Sequence, residues 1–161
     1  MVNRPLLYLG ILFLGMLTAC SHAGEQEMPE VGNNLFTSVP GGYSGIDIRN
    51  DLPNTEEFNP YTFSNFYNGG GIGIGDVNRD GLVVIYFCGN QVVNQLYLNR
   101  GDFQFEDITE YAGVSCPDVW SSGVSFVDVN GDGWLDIYVC KSGSPEGDNR
   151  YNELFINEGN P

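Results

Sequence analysis

Two stretches of the chain repeat each other, and this repeat constrains the fold more than any other feature. Residues 75–88 read GDVNRDGLVVIYFC and residues 127–140 read VDVNGDGWLDIYVC, with matched positions 52 residues apart. A second pair, residues 94–101 (NQLYLNRG) and 152–159 (NELFINEG), follows at a spacing of 58 residues. The longer spacing predicts an insertion at residues 142–150. Two blocks that recur in the same order predict two copies of one supersecondary unit.

The first block of each copy carries oxygen atoms at the spacing of a cation-binding loop. Side-chain oxygens at positions 1, 3 and 5, a glycine at 6, a backbone carbonyl at 7 and a carboxylate at 9 can surround one hard cation. In the second copy these positions are taken by Asp128, Asn130, Asp132, Gly133, the carbonyl of Trp134 and Asp136. Ligands that are all oxygen favour Ca²⁺ over Zn²⁺ or copper, which predicts a calcium site. The alternative is a turn rich in Asp, Asn and Gly that binds no metal.

The first copy has the same loop with one change. It keeps the matching oxygen donors and glycine, which are Asp76, Asn78, Asp80, Gly81 and the carbonyl of Leu82. Position 9, however, is Val84. Because this loop has one anionic ligand fewer, we expect it to bind a cation more weakly than the second loop or to recruit water as a ligand.

The residues after each loop separate this pattern from an EF-hand or a dockerin. Those sites need a carboxylate at position 12 and a following helix. Position 12 is Phe87 in one loop and Val139 in the other. Residues 85–87 and 137–139 are β-branched and aromatic, which is typical of strands. Each loop is therefore predicted to join strands of an all-β fold.

The charge balance is strongly acidic, with 21 Asp and Glu against 6 Lys and Arg and a net charge of −15. Nucleic acid is a poor partner, because affinity for phosphate needs clustered Lys and Arg. The hydrophobic fraction of 42% is enough to form a core, which argues against general disorder. The single histidine, His22, lies in a predicted linker, so the chain offers no histidine base and no histidine-rich zinc site.

Residues 1–19 are predicted to be a signal peptide. Their apolar stretch is shorter than the roughly 20 residues of a membrane-spanning helix. The stretch ends in Leu-Thr-Ala-Cys, which resembles the lipobox of bacterial lipoproteins, with Leu17 at −3 and Ala19 at −1. The resemblance implies acylation of Cys20; an ordinary signal peptide with a chance cysteine is the alternative. Residues 20–34 are predicted to be the lipidated cysteine and a flexible acidic tether, so the mature protein is expected to be anchored to a membrane without crossing it.

The loops, the hairpins after them and the glycine-rich residues 68–75 resemble the FG-GAP/VCBS repeat. They are similar in particular to exported bacterial lipoproteins that combine VCBS repeats with an ASPIC/UnbV region, relatives of the cartilage acidic protein. The resemblance covers roughly residues 35–161 and implies β-propeller blades with a calcium loop between strands, as in the head of the integrin α-subunit. Val84 departs from the family pattern, and no segment of the chain matches the ASPIC/UnbV region.

Residues 35–161 are predicted to form a partial β-propeller, with loops at 76–84 and 128–136. A propeller typically closes with roughly four to eight blades, and the chain has two recognisable repeats. We therefore expect the sequence to be an N-terminal piece of a longer protein, or a truncated gene product, rather than a complete domain.

Three cysteines remain if Cys20 is lipidated, which is an odd number. A Cys116–Cys140 bridge across the second loop, a Cys88–Cys140 bridge between equivalent positions, and burial as free thiols all stay open at this point.

Two functions follow from the resemblance. The preferred one is an exported, lipid-anchored, calcium-binding module of the cell envelope, in the outer membrane or at the cell surface, that binds a protein or a glycan without catalysis. The alternative is the propeller portion of an exported polysaccharide-degrading enzyme.

Overall fold

The computed structural model describes residues 27–30, 32–142 and 151–159. Within these ranges the chain is mostly β-strand, in two antiparallel sheets with two single-turn helices, which confirms the predicted all-β class. No described helix is long and apolar enough to cross a membrane. Several predicted features lie outside the described residues: the signal peptide, the lipidation site Cys20, most of the tether's first half, and the insertion beyond Ser142.

The first sheet holds four strands in sequential order. After a one-turn helix, α1 (Gly41–Ser44), come β1 (Ile72–Gly75), β2 (Val84–Phe87), β3 (Gln95–Asn99) and β4 (Phe105–Asp107). Each strand is antiparallel to the next. The first loop, residues 76–84, joins β1 to β2 and runs into the start of β2. A second one-turn helix, α2 (Thr109–Ala112), follows β4.

The second sheet repeats the first three strands. It consists of β5 (Ser121–Val127), β6 (Asp136–Lys141) and β7 (Glu153–Phe155), and the second loop, residues 128–136, joins β5 to β6. The strand registers are equivalent, because Tyr86 pairs with Leu96 in the first sheet and Tyr138 pairs with Leu154 in the second. The spacings of 52 and 58 residues therefore describe a true structural repeat.

The two sheets stack face to face, and glycines allow the close approach of β1 to β5. A Cβ atom at Gly73 would lie 2.9 Å from Cγ1 of Val124, and one at Gly75 would lie 2.9 Å from Cγ of Phe126. The main core lies at this contact. It contains the buried side chains of Val84, Tyr86, Cys88, Leu96, Val114, Cys116, Val119, Ile137 and Val139.

The segment before β1 covers part of the opposite face of the first sheet. The hydroxyl of Tyr97 on β3 donates a hydrogen bond to Asp47 at 2.9 Å. Gly45 lies so close to β4 that a Cβ there would be 2.4 Å from the carbonyl oxygen of Phe105. This coverage reaches β3 and β4, whereas Ile72 and Ile74 on the edge strand β1 remain 60% and 61% exposed.

The three described cysteines carry free thiols, so neither bridge considered above is present among them. Cys88 and Cys116 are buried, and Cys140 is half-buried. Burial raises the pKa of the Cys88 thiol to about 11, because a thiolate would lose its hydration there. Of the three alternatives, burial as small apolar side chains is the one observed.

Candidate metal centre

The second loop is folded tightly around its own carboxylates. Asp128 accepts hydrogen bonds from the backbone N–H groups of Gly131 at 2.7 Å and Gly133 at 2.8 Å. Both glycines have positive φ angles, 76° and 87°, a conformation that glycine adopts without steric cost. Asp132 accepts from the N–H of Trp134 at 2.8 Å and from the side chain of Asn130 at 2.8 Å. The predicted donors at positions 1, 3 and 5 are thus brought together in one turn.

The carboxylate at position 9 is the most buried part of this site. Asp136 is 0% exposed, and its two oxygens accept backbone hydrogen bonds from Val129 at 3.0 Å and from Asn157 at 2.8 Å. Asp136 therefore ties the second loop to the residues that follow β7. Among the residues that the structure describes, no ion pair involves a carboxylate of either loop.

Hydrogen bonds also favour the ionised form of Asp132 in the second loop. The backbone N–H of Trp134, and after it the side-chain amide of Asn130, lower the pKa of Asp132 below its usual value, with a smaller contribution from Arg79. Asp132 is therefore ionised throughout the neutral range and carries a full negative charge at the loop surface.

The first loop has the same turn. Asp76 accepts from the N–H of Gly81 at 3.0 Å, and Asp80 accepts from the N–H of Leu82 at 2.7 Å and from the amide of Asn78 at 2.8 Å. Its position 9, Val84, is fully buried in the core and offers no oxygen. The first loop therefore lacks the anchored carboxylate that Asp136 supplies in the second.

One atom in the first loop has no partner. Oδ1 of Asp76 is buried and accepts no hydrogen bond. A buried carboxylate oxygen without a partner is costly, because it has lost its hydration and gained nothing in exchange. A bound cation would satisfy it, so the donor chemistry at this position fits a hard metal ion.

The two loops differ from a site built from carboxylates alone. Within the described ranges, no three histidine, cysteine, aspartate or glutamate side chains converge as a metal cluster. A cation at either loop would therefore depend on the amide oxygens of Asn78 or Asn130 and on the carbonyls of Leu82 or Trp134, as the spacing predicts.

Arg79 joins the two loops, which the sequence pattern did not predict. Its Nε donates to the carbonyl oxygen of Gly133 at 3.2 Å, and its guanidinium carbon lies 4.4 Å from the centre of the Trp134 ring. A Cβ atom at Gly133 would be 2.1 Å from an Arg79 nitrogen, so a larger residue there would displace the guanidinium group from this contact. In the second loop, Gly131 takes the position of Arg79. This difference between the two repeats is the only sign of the contact in the sequence.

Asn157 is the second link that sequence reasoning missed. Its side-chain amide donates to the carbonyl oxygens of Val77 at 2.8 Å and Leu135 at 3.2 Å, one in each loop. Its Oδ1 accepts from the N–H of Gly159 at 3.0 Å. The pattern Asn-x-Gly occurs in both copies of the second block, so the sequence shows that Asn157 is a repeated residue. It does not show what Asn157 contacts.

The comparison with known families matches this same region. Residues 82–139 match the family model of the FG-GAP-like repeat. The matched range runs from the end of the first loop through the second loop to β6. No curated protein and no solved structure matches the chain. The part of the expected resemblance that is shown is therefore one FG-GAP-like repeat, which extends from the first sheet into the second.

Proposed function

We propose that the chain is a calcium-stabilised β-propeller module that acts by binding a protein or a glycan rather than by catalysis. The observation that carries the proposal is the pair of stacked, structurally equivalent sheets, each with an oxygen-rich loop at the same place. The part between residues 82 and 139, which includes the second loop, matches an FG-GAP-like repeat. FG-GAP repeats are blades of propellers, and propellers present loops and faces on which ligands bind.

Calcium has a structural role in this proposal. The second loop would hold it through Asp128, Asn130, Asp132, the Trp134 carbonyl and Asp136. The first loop would hold it through Asp76, Asn78, Asp80 and the Leu82 carbonyl. The ion supplies positive charge that offsets the clustered carboxylates and satisfies buried oxygens. The residues of the chain do the rest: they close the turns, orient the carboxylates through backbone N–H groups and join one loop to the other through Arg79 and Asn157.

The proposed location is the bacterial cell envelope, in the outer membrane or at the cell surface. The lipobox-like sequence before Cys20 supports export and acylation. Two or more acyl chains hold a protein at a membrane stably. In an extracellular compartment calcium is abundant, so loops of modest affinity, with Kd values of about 10⁻⁴ to 10⁻³ M, would be occupied.

Thermal unfolding with and without Ca²⁺ tests the calcium claim. At a calcium concentration about ten times Kd, binding to the folded state adds about 1.4 kcal/mol to the free energy of unfolding, which raises Tm by a few degrees. Asp132→Ala should remove most of this increase, because it deletes an exposed ligand of the stronger loop. The matched control is Glu57→Ala, an exposed acid outside both loops, which should keep the full increase. A wild-type Tm that does not respond to Ca²⁺ would refute the proposal.

A further inference from the structure

Arg79 reaches from the first loop into the second. It is the fourth residue of the first loop and lies between Asn78 and Asp80, which are both proposed ligands. Its Nε donates to the carbonyl oxygen of Gly133 at 3.2 Å, and its guanidinium carbon lies 4.4 Å from the centre of the Trp134 ring. Trp134 offers the carbonyl ligand at position 7 of the second loop. Arg79 therefore connects two ligands of the first site to a ligand of the second.

The backbone conformation of Arg79 depends on the closed turn of the first loop. Its φ angle is 60°, in the left-handed region that residues with a Cβ atom rarely adopt. Its two neighbours close the turn around it, since the Asn78 amide donates to Asp80 at 2.8 Å and the Asp80 N–H donates to Oδ1 of Asn78 at 3.3 Å. A cation held by oxygens of both neighbours would fix this same turn. Cation binding in the first loop would therefore favour the conformation from which Arg79 reaches Gly133.

The contact with Arg79 helps to hold Trp134 in place. The indole also packs against Gly159, because a Cβ atom at that glycine would lie 2.6 Å from Nε1 of Trp134. The N–H of Trp134 donates to Oδ1 of Asp132 at 2.8 Å, so the position of Trp134 affects the position of the Asp132 carboxylate. Detaching Arg79 would therefore loosen two proposed ligands of the second loop, the Trp134 carbonyl and the Asp132 side chain.

The second loop has no equivalent of this arginine. Gly81 and Gly133 take the same position in the two loops, with φ angles of 85° and 87°. A Cβ atom at Gly81 would meet no described atom within 4 Å, whereas one at Gly133 would lie 2.1 Å from a nitrogen of Arg79. Position 4 of the second loop is Gly131, which has no side chain that could reach another loop. The contact is therefore a feature of this pair of loops and not of the repeat itself.

Asn157 forms a second link between the loops, and this link does not depend on the Arg79 turn. Its side-chain amide donates to the carbonyl oxygen of Val77 at 2.8 Å, and its backbone N–H donates to Oδ1 of Asp136 at 2.8 Å. Both hydrogen bonds are partly buried, whereas the Arg79 contact is exposed. Exposed contacts with few buried neighbours open most easily. Asn157 thus keeps the loops side by side, and Arg79 is the link that can attach and detach.

We propose that Arg79 couples the two loops, so that Ca²⁺ bound in the first loop tightens the binding of Ca²⁺ in the second. This inference rests on the proposed calcium sites and adds a regulation to them. Arg79 is a positioning residue, because it holds ligands of the second loop and binds no cation itself. Coupling between two sites is reciprocal, so Ca²⁺ in the second loop tightens binding in the first by the same factor.

The size of the coupling follows from the place of the contact. Coupled sites typically change each other's affinity by about 5- to 150-fold, and a contact at the surface belongs at the lower end, about fivefold. Repulsion between the two bound ions opposes the coupling. The carboxylates of both loops and salt at physiological ionic strength reduce this repulsion.

Calorimetric Ca²⁺ titration of four forms of the full chain tests the coupling: the wild type, Asp80→Ala, Arg79→Gly and the variant with both changes. Asp80→Ala disables the first site. Arg79→Gly gives the first loop the glycine that the second loop has at position 4, and glycine adopts a positive φ without strain. Disabling the first site should weaken the second about fivefold when Arg79 is present and should leave its affinity unchanged when residue 79 is glycine.

Two further titrations complete the experiment. Asp132→Ala disables the second site and should weaken the first by the same factor of about five, because coupling is reciprocal. Arg49→Gly is the matched control for the loss of a positive charge, since its side chain is 79% exposed and lies outside both loops. Combined with Asp80→Ala, it should leave the loss of about fivefold as it is with Arg79 present.

Tryptophan fluorescence gives a readout that a purely structural role of Arg79 would not change. The chain has two tryptophans: Trp120 is buried among phenylalanine rings, and Trp134 contacts Arg79. In Asp132→Ala, Ca²⁺ bound in the first loop should still change the tryptophan emission, because it acts on Trp134 through Arg79. Adding Arg79→Gly should abolish this change. Adding Trp134→Phe should abolish it too, which assigns the signal.

The outcomes separate this inference from the proposed function. A wild type that binds no Ca²⁺ would refute both. Two sites whose affinities do not depend on each other would overturn the coupling and leave the calcium sites in place. Coupling that persists in Arg79→Gly would overturn the role of Arg79. If Arg79→Gly does not fold, the emission of Asp132→Ala decides, because an emission that does not respond to Ca²⁺ overturns the proposal.

Discussion

At the scale of single residues, the second loop depends on a carboxylate that the spacing pattern predicts only as a ligand. Asp136 is fully buried and accepts one hydrogen bond from each of two backbone N–H groups, those of Val129 and Asn157. Asp136 therefore stabilises the turn through these two hydrogen bonds, whether or not a cation is bound. Its position in the loop could be predicted from the motif, but its bond to Asn157 could not, because the two residues are 21 positions apart and meet only in the folded sheet.

The substitution Asp136→Ala should lower stability even in calcium-free buffer. It takes the acceptor from two partly buried N–H groups, and each lost hydrogen bond costs about 0.5–1.5 kcal/mol, so we expect the free energy of unfolding in urea to fall by about 1–3 kcal/mol. Asp132→Ala serves as the comparison within the same loop. Because Asp132 lies at the surface, its loss should cost far less. Equal losses for the two variants would contradict a structural role for Asp136.

At the scale of strands and loops, the sequence pattern predicted the order of elements well. The β-branched and aromatic residues after each loop form β2 and β6, so the exclusion of an EF-hand exit helix is confirmed. The stacking of the sheets was harder to predict, since it depends on contacts between residues far apart in the chain. Arg79 reaches Gly133 across 54 residues and Asn157 reaches Val77 across 80. Local composition carries little information about such contacts.

The stacking makes a prediction for Gly75. An added methyl group would meet Cγ of Phe126 at 2.9 Å and Cδ1 of Leu135 at 3.2 Å. Gly75→Ala should therefore overpack the contact between the sheets and lower the free energy of unfolding by about 1–3 kcal/mol, measured in urea. Gly32→Ala is the matched control, because a Cβ there meets no atom within 4 Å and the φ angle is not positive. Equal stability of the two variants would contradict the proposed close approach.

At the scale of the whole molecule, the two loops account for part of the acidic composition. All five loop aspartates, which are Asp76, Asp80, Asp128, Asp132 and Asp136, accept hydrogen bonds from backbone N–H groups of their own loop. Part of the net charge of −15 is thus concentrated at two adjacent turns on one side of the sheet contact. A cation bound at either turn would reduce the repulsion between these carboxylates.

The measurement that tests this most directly is an equilibrium calcium titration of the wild type, followed calorimetrically and compared with Asp132→Ala and Asp80→Ala. We expect two sites in the wild type, the tighter in the second loop because only that loop has a carboxylate at position 9. Asp132→Ala should abolish the tighter site and Asp80→Ala the weaker one. If the wild type binds no calcium at concentrations well above about 10⁻³ M, the loops are metal-free turns and the proposed calcium-stabilised module is wrong.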